Sequence, residues 1–188
     1  MPAFEEELLE PVARLFRFRH ALDQLPADKP IKIADLGCGP KLRLYHFLTD
    51  KNIRIGQFIG IDPLVNQSVI KAQQSTKVKI INKPLLKKIA LESQSVDFVT
   101  AFAFFEHIDH PREILAEAYR ILRPGGKIII TVPSPRAKLI LEFLAFKLGL
   151  ISRREIEEHK QYFDRESLFK ILPKGVKRSQ VTHRYFGL

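Results

Sequence analysis

At 188 residues, 45% of them hydrophobic and 28% charged, the chain has the composition of a single globular domain, which excludes the disordered and fibrous classes. Its lone cysteine, Cys38, excludes an internal disulfide and a metal site built from several cysteines, and no other metal ligand set is expected. The formal net charge of +10 indicates either an anionic partner, such as nucleic acid or a lipid surface, or a solvated basic face without a partner.

Residues 1–30 are predicted to form a helical segment ahead of the main body of the domain. Leucine and phenylalanine recur at roughly helical intervals through residues 5–25, and Pro11 either begins or kinks that helix. Acidic residues precede the apolar ones, which is the opposite order to a secretory signal, and no apolar run approaches the ~20 residues of a membrane span. We therefore expect a cytoplasmic protein.

Residues 31–133 alternate between short apolar runs and helical segments. The runs IKIAD, FIGID, KVKIIN, VDFVTAF and KIIITVP are predicted strands, with helices near 42–50, 64–75 and 111–122. Strands that are apolar almost throughout are typical of a parallel sheet with helices on both faces. A helical insertion over residues 134–165 and two closing strands over 166–188 complete one α/β domain. The expected sheet has seven strands and is mostly parallel, with the last strand antiparallel.

The loop Gly37-Cys38-Gly39-Pro40 follows the first predicted strand, where ligands of open α/β sheets bind. A tight turn alone is sufficient reason for a Gly-x-Gly sequence. Among nucleotide ligands, a P-loop is excluded by the missing Gly-Lys-Ser/Thr ending, and a dinucleotide loop lacks its third glycine because position 42 is leucine. Asp35 would also repel phosphate.

S-adenosylmethionine reverses this electrostatic argument, because it has no phosphate and its methionine end carries a sulfonium and an ammonium group. The carboxylate of Asp35 is favourable next to such a ligand. A second carboxylate, Asp62, lies 23 residues after Gly39, close to the ~20-residue offset at which an acid binds ribose hydroxyls. A solvated loop aspartate is the alternative interpretation of Asp62.

These stretches, together with SVDFVTAFAFFEHIDHPREILAEAYRILRPGGKIIITVPSP, resemble the class I S-adenosylmethionine-dependent methyltransferases. The likeness is to the small-molecule branch marked by D-x-G-C-G, E-H and L-x-P-G-G. It covers residues 31–135, and a weaker likeness follows in EEHKQYFDRESLFKIL. The resemblance implies a Rossmann-like fold in which residues 31–133 bind the cofactor and residues 134–165 lie on the substrate side.

The resemblance also implies a cofactor site at the ends of the first four strands. Within it, Asp62 would bind the ribose, Pro63 would lie beside the adenine and Asn82 would contact the adenine amino group. The residues it implies are Asp35, Gly37, Cys38, Gly39, Asp62, Pro63, Asn82, Ala101 and Phe102. Lys41 replaces a glycine that is frequent in such enzymes, and its ammonium either binds the cofactor carboxylate or faces solvent.

Methyl transfer is an in-line displacement that needs a base only when the acceptor must lose a proton. Glu106 and His107, after the fourth predicted strand, are the candidate catalytic residues, although His107 could instead orient the helix that follows. Phe105, His159 and Tyr162 are candidate substrate-binding residues.

These motifs do not identify the molecule that accepts the methyl group. The preferred hypothesis is a small-molecule or a lipid- or glycan-linked acceptor. An RNA methyltransferase using the basic surface is the alternative, although the sequence has neither an N/D-P-P-Y motif nor a cysteine pair. A third hypothesis is a non-catalytic, cofactor-binding regulatory protein. The apolar segment 138–151 is a core helix, a lid over a hydrophobic substrate or a peripheral membrane contact.

Overall fold

The computed structural model, which describes residues 10–26, 28–151 and 153–184, contains one sheet built from the five predicted apolar runs. Its strands are paired in parallel throughout, in the order β3-β2-β1-β4-β5, so that β1 lies in the centre. Their bounds are β1 Ile31–Leu36, β2 Ile55–Ile61, β3 Val78–Ile81, β4 Val96–Phe102 and β5 Leu122–Thr131. The predicted α/β architecture with a Rossmann-like sheet is confirmed.

Helices cover both faces of the sheet. Along β1, Ile33 packs in one buried cluster with Phe18 and Leu48, whereas its neighbour Ala34 packs in a second cluster with Ile114. Successive side chains of a strand point to opposite faces, so these clusters are the two halves of the core. The helices are α1 Glu10–Leu22, α2 Arg43–Asp50, α3 Gln67–Gln73, α4 Pro111–Ile121, α5 Pro135–Phe143, α6 Arg153–Glu157 and α7 Arg165–Lys170.

The sequence of α4 shows how a helix end is fixed, whereas the start of α1 is not described. Pro11 is the second described residue of α1, and residues 1–9 lie outside the described residues, so the interpretation that Pro11 begins or kinks this helix stays a prediction. Helix α4 starts at Pro111 and buries residues at helical spacing: Ile114, Leu115, Ala118 and Ile121. This helix therefore closes one face of the sheet beside β4 and β5.

The prediction of two closing strands over residues 166–188 is wrong for the residues described, which end at position 184. Asp164 accepts the backbone N–H of Ser167 at 2.7 Å and starts α7, in which Phe169 is buried. Beyond α7 the chain makes only a short 3₁₀ turn, Arg178–Gln180. The described sheet thus has five strands, all parallel, because a capping sequence and a helical apolar pattern occupy the place of the sixth strand. Residues 185–188 lie outside the described residues.

The predicted helical insertion consists of α5, a π-helical turn Leu144–Leu148 and α6. Its large apolar side chains are mainly exposed, with Leu139 75% and Phe143 55% accessible. Residues 138–151 therefore do not form a core helix. Among the described helices, none combines the length and apolar character needed to cross a membrane.

Candidate cofactor and acceptor site

The carboxyl ends of the three central strands are level, which brings their loops together. Asp35 of β1 pairs in register with Gly60 of β2 and with Thr100 of β4. A cavity lies beyond this edge, lined by Asp35, by the loop residues 37–39 and by Phe102 at the end of β4. The structure therefore gathers five of the nine predicted cofactor-binding residues around one cavity, whereas Asp62, Pro63, Asn82 and Ala101 are not among its lining residues.

Asp35 is a buried carboxyl group in that cavity, with only 3% of its surface exposed. Its Oδ1 accepts a 2.7 Å hydrogen bond from the hydroxyl of Thr100 on β4. Burial raises the pKa of Asp35 to about 7; the Thr100 bond opposes this shift, and the nearby charge of Asp62 adds to it. A cationic ligand would offset the cost of ionising this group, so the site favours positive charge.

Asp62, directly after β2, ties the neighbouring loops together. Its Oδ2 accepts the backbone N–H of Gly39 at 2.9 Å, and its Oδ1 accepts the N–H of Leu64 at 2.7 Å. Each carboxylate oxygen can accept a further hydrogen bond. The predicted ribose-binding residue is thus also the support of the glycine loop, and Pro63 beside it is exposed.

The two loop glycines are needed at their positions for different structural reasons. Gly37 adopts φ +71°, and a Cβ there would lie 2.5 Å from Cδ2 of Phe104. Gly39 adopts φ +70° with open space around its missing Cβ. Both positions disfavour a side chain on backbone grounds, and Gly39 in addition leaves room for a ligand to approach the main chain.

Cys38, between these glycines, is a packing residue. Its Sγ lies against Gly60, where an added Cβ would approach it to 2.9 Å. Burial and the charges of Asp35 and Asp62 raise the pKa of the thiol, which stays protonated and unreactive.

Three further predicted residues lie away from the cavity: Asn82 and Ala101, which the resemblance implied for the cofactor, and Phe105, a candidate for the substrate. Asn82 follows β3, and its side-chain amide donates to the carbonyl of Val65 at 3.2 Å. Ala101 and Phe105 are fully buried among core residues, so neither side chain faces the cavity. Phe105 stays a predicted substrate residue only through the position of its backbone, whose carbonyl accepts a hydrogen bond from Gln161 at 3.1 Å.

Basic residues that the sequence analysis missed also line the cavity: Arg14 and Arg17 of α1, with Arg43 of α2. Lys41 lines the same rim and is exposed. The spacing of Arg14 and Arg17, three residues apart with Phe18 buried beside them, was the available signal, because it places both on the helix face next to the core.

A second group of polar side chains lies after β4, on the 3₁₀ turn Phe105–His107. Donor atoms of Glu106, His107 and His159 all lie within 4.8 Å of one another. The rings of His107 and His159 are 4.9 Å apart, and Nδ1 of His159 is 3.2 Å from the hydroxyl of Tyr162. The predicted catalytic and substrate-binding residues are therefore brought together from two distant segments.

The electrostatics of this group favour neutral rings. Burial lowers the pKa of His107, and it lowers the pKa of His159 to about 4, with the neighbouring His107 adding to the shift. Burial raises the pKa of Tyr162, so its phenol keeps its proton at neutral pH. Glu106 is only 1% exposed.

Several hydrogen bonds fix the late segment to the turn after β4. The N–H of Lys160 donates to the carbonyl of Glu106 at 2.8 Å, and the Lys160 ammonium pairs with Asp109 at 2.6 Å. Gln161 reaches the carbonyl of Ile108 at 3.0 Å. Hydrogen bonds from both the backbone and the side chains of residues 160 and 161 therefore hold His159 next to His107.

Comparison with known proteins identifies the family of this chain. The sequence model of a family described as a methyltransferase domain matches residues 5–174. The chain belongs to the class I S-adenosylmethionine-dependent methyltransferases. This methyltransferase is 27% identical over 134 residues to the mitochondrial ubiquinone biosynthesis O-methyltransferase of Mus musculus, an alignment that covers 67% of this chain and 33% of that protein.

A second relative and two solved structures are also similar to this chain. The ubiquinone biosynthesis O-methyltransferase of Vibrio atlanticus is 22% identical over 158 residues, which cover 83% of this chain and 67% of that protein. The structure of YcgJ from Bacillus subtilis has a TM-score of 0.63 at 14% identity, covering 84% of this methyltransferase and 66% of YcgJ. A methyltransferase structure from Mesorhizobium loti has a TM-score of 0.57 at 16% identity, covering 82% and 77% of the two chains. At these identities the solved structures establish the shared fold.

Proposed function

We propose that this methyltransferase transfers a methyl group from S-adenosylmethionine to an oxygen atom of a small-molecule or lipid-linked acceptor. The observation that carries the proposal is that Phe104, which packs against Gly37 of the carboxyl-lined glycine cradle, directly precedes the turn that carries Glu106 and His107. The choice of oxygen is supported by the O-methyltransferases among the relatives.

The cradle fits this cofactor, which supplies a methyl group on a positively charged sulfur. The buried carboxyl of Asp35 faces the cavity and favours a cationic ligand. Open space at Gly39 allows close approach to the backbone, and Asp62 has capacity for ribose hydroxyls. Arg14 and Arg17, which also line the cavity, supply positive charge for the carboxylate of the methionine part.

The acceptor side is partly apolar. Lys138 of α5 lies 5.7 Å from the ring of Tyr162, which places α5 next to the Glu106–His107–His159 group. Exposed apolar residues on α5 and the following turn, such as Leu139, Phe143 and Phe146, adjoin that region along the chain. An acceptor with an apolar body, such as a quinol or phenol carrying a lipid tail, matches such a surface.

The proposal is tested with cofactor labelled in its methyl group, incubated with the purified protein and with fractionated cell extract. Label in an organic-soluble phenol or quinol supports the proposal, and the product is identified by mass spectrometry. Label confined to RNA supports the alternative acceptor. Tight binding of S-adenosylhomocysteine with no labelled product in any fraction supports a non-catalytic, cofactor-binding protein.

Cofactor affinity is expected to increase with pH up to about 7 and to level off above it. In the free protein the carboxyl of Asp35 is protonated below its pKa of about 7, whereas a cationic ligand favours the carboxylate, so binding releases a proton at lower pH. The limiting slope is about tenfold in the dissociation constant per pH unit. Calorimetry with S-adenosylmethionine, without an acceptor, in buffers of different ionisation enthalpy measures both the affinity and the proton release.

The matched variant for this pH dependence is Thr100→Val, which keeps the shape of the side chain but removes the hydroxyl that stabilises the Asp35 carboxylate. The pH at which the affinity of this variant levels off is expected to be higher, because loss of the hydrogen bond raises the pKa of Asp35 further. An affinity that stays constant from pH 5.5 to about pH 8 would contradict the role given to Asp35.

Lys41→Ala is expected to change the affinity for S-adenosylhomocysteine by less than about threefold, because an exposed ammonium at the cavity rim is screened by solvent.

Arg17→Gln, which alters a half-buried cation on the cavity wall, is expected to weaken binding of the same ligand by about tenfold. Arg19→Gln, an exposed change on the same helix away from the cavity, is the control. Equal losses for Arg17→Gln and Arg19→Gln would refute a cofactor contact by Arg17.

A further inference from the structure

We propose that Glu106, His107 and His159 bind one divalent transition-metal ion beside the methyl-acceptor site. Their donor atoms lie within 4.8 Å of one another. Donors that share one ion tetrahedrally at ~2.1 Å lie about 3.4 Å from each other, so the most distant pair needs to close by up to about 1.4 Å. Both ligand segments are already joined by the Lys160 N–H bond to the Glu106 carbonyl.

The orientation of both imidazoles independently supports this site. Nδ1 of His107 lies 3.3 Å from the carbonyl oxygen of Glu158, which can only accept a hydrogen bond, so Nδ1 carries the proton. Nε2 of His107 therefore presents a lone pair. Nδ1 of His159 is engaged with the hydroxyl of Tyr162, which leaves its Nε2 as the free donor atom. Metal-binding histidines are held in this way by a carbonyl or hydroxyl partner on the other ring nitrogen.

The donor set indicates the class of ion. Two imidazoles and one carboxylate with open coordination positions are typical of catalytic zinc sites and of non-haem iron sites. Mg²⁺ and Ca²⁺ prefer sites built from oxygen ligands alone. Glu106 is 1% exposed, and a bound cation would offset the cost of burying its negative charge. A borderline divalent ion such as Zn²⁺ thus fits the group better than a hard cation.

A metal here goes beyond methyl transfer as such, and only its catalytic use, not its binding, rests on the function proposed above. An acceptor hydroxyl bound to the ion would lose its proton to solvent at lower pH than the free hydroxyl. The oxygen lone pair then forms the new bond to the methyl carbon, while the methyl–sulfur bond breaks and its electron pair stays on sulfur. The open coordination positions would thereby select an acceptor with a hydroxyl group.

The test is titration of untagged, metal-free protein with ZnCl₂ by calorimetry, in the absence of cofactor. One zinc ion per chain is expected. His159→Ala is expected to weaken zinc binding by at least about 100-fold, and Tyr162→Phe, which alters only the partner of a ligand, by about tenfold. Co²⁺ is expected to give the visible absorption of a low-coordinate nitrogen and oxygen site, and His159→Ala to abolish it.

His110→Gln is the matched control, because this half-buried histidine lies three residues after His107 but outside the group. It is expected to bind zinc like the unaltered protein. The proposal is overturned if the protein takes up no stoichiometric zinc, or if His159→Ala and His110→Gln bind it equally well. Should Glu106→Gln fail to fold, His107→Ala and His159→Ala decide the outcome. Zinc binding without any methyl transfer would retain this site and contradict the proposed function.

Discussion

Asp62→Ala is expected to weaken the binding of S-adenosylhomocysteine by about 100-fold, equivalent to about 3 kcal/mol. The change removes the acceptors of the Gly39 and Leu64 N–H groups, so the glycine loop loses its side-chain tie to Asp62 and keeps only the backbone bonds to Ile61. It also removes the carboxylate proposed to bind the ribose. A hydrogen bond to a charged group contributes about 1.5–3 kcal/mol, so losing the loop tie and the ribose contact accounts for this magnitude. Calorimetry measures the affinity, and thermal denaturation the stability.

The control for Asp62→Ala is Asp97→Ala, at the opposite edge of the sheet. Asp97 also accepts a backbone N–H, that of Lys32 at 2.8 Å, and pairs with Arg123 at 2.8 Å. Its loss is expected to lower the free energy of unfolding by about 1–2 kcal/mol and to leave cofactor affinity within about twofold. If Asp62→Ala binds the ligand as tightly as Asp97→Ala does, Asp62 does not contact the cofactor.

Gly37→Ala is expected to lower the free energy of unfolding by about 3 kcal/mol and to weaken cofactor binding by at least about tenfold. Part of the loss is the left-handed backbone at φ +71°, and the rest is the approach of the new Cβ to 2.5 Å from the Phe104 ring. Phe104 must move, and the turn that carries Glu106 moves with it. Urea denaturation and calorimetry measure the two effects.

Gly125→Ala separates the two causes, because Gly125 has φ +79° but nothing within 4 Å of its missing Cβ. Only the backbone cost of about 1–2 kcal/mol is expected there. The double change Gly37→Ala with Phe104→Ala removes the collision and is expected to destabilise less than the sum of its parts. Equal stability of the Gly37→Ala and Gly125→Ala proteins would show that Phe104 yields without cost.

The sequence was sufficient to predict the strands and the glycine loop after β1, because both depend on local patterns. Apolar, β-branched runs predicted all five strands, and the special backbone of the loop is visible as Gly37 and Gly39. The acid positions Asp35 and Asp62 followed from the carboxyl ends of the strands. These are features in which residue type and spacing determine the outcome.

The features that the sequence did not predict depend on tertiary packing. Residues 165–170 contain enough apolar side chains for a strand, but a capping sequence and burial of Phe169 on one side favour a helix. Ala101 and Phe105 lie next to the site in sequence and face the core in space. His107 and His159 were individually predicted, but only the path of the chain around α4 and α5 shows that their rings meet.

The central position of β1 influences which part of the molecule unfolds first. Hydrogen exchange is slowest in strands that have neighbours on both sides, so the loop that begins at Gly37 is attached to the most protected part of the chain. Helix α5, the π-helical turn and α6 contact chiefly one another. Partial unfolding can therefore begin in α5, the π-helical turn and α6, on the proposed acceptor side, while the glycine loop stays folded. In the proposed reaction, this would let a methylated product depart before the spent cofactor.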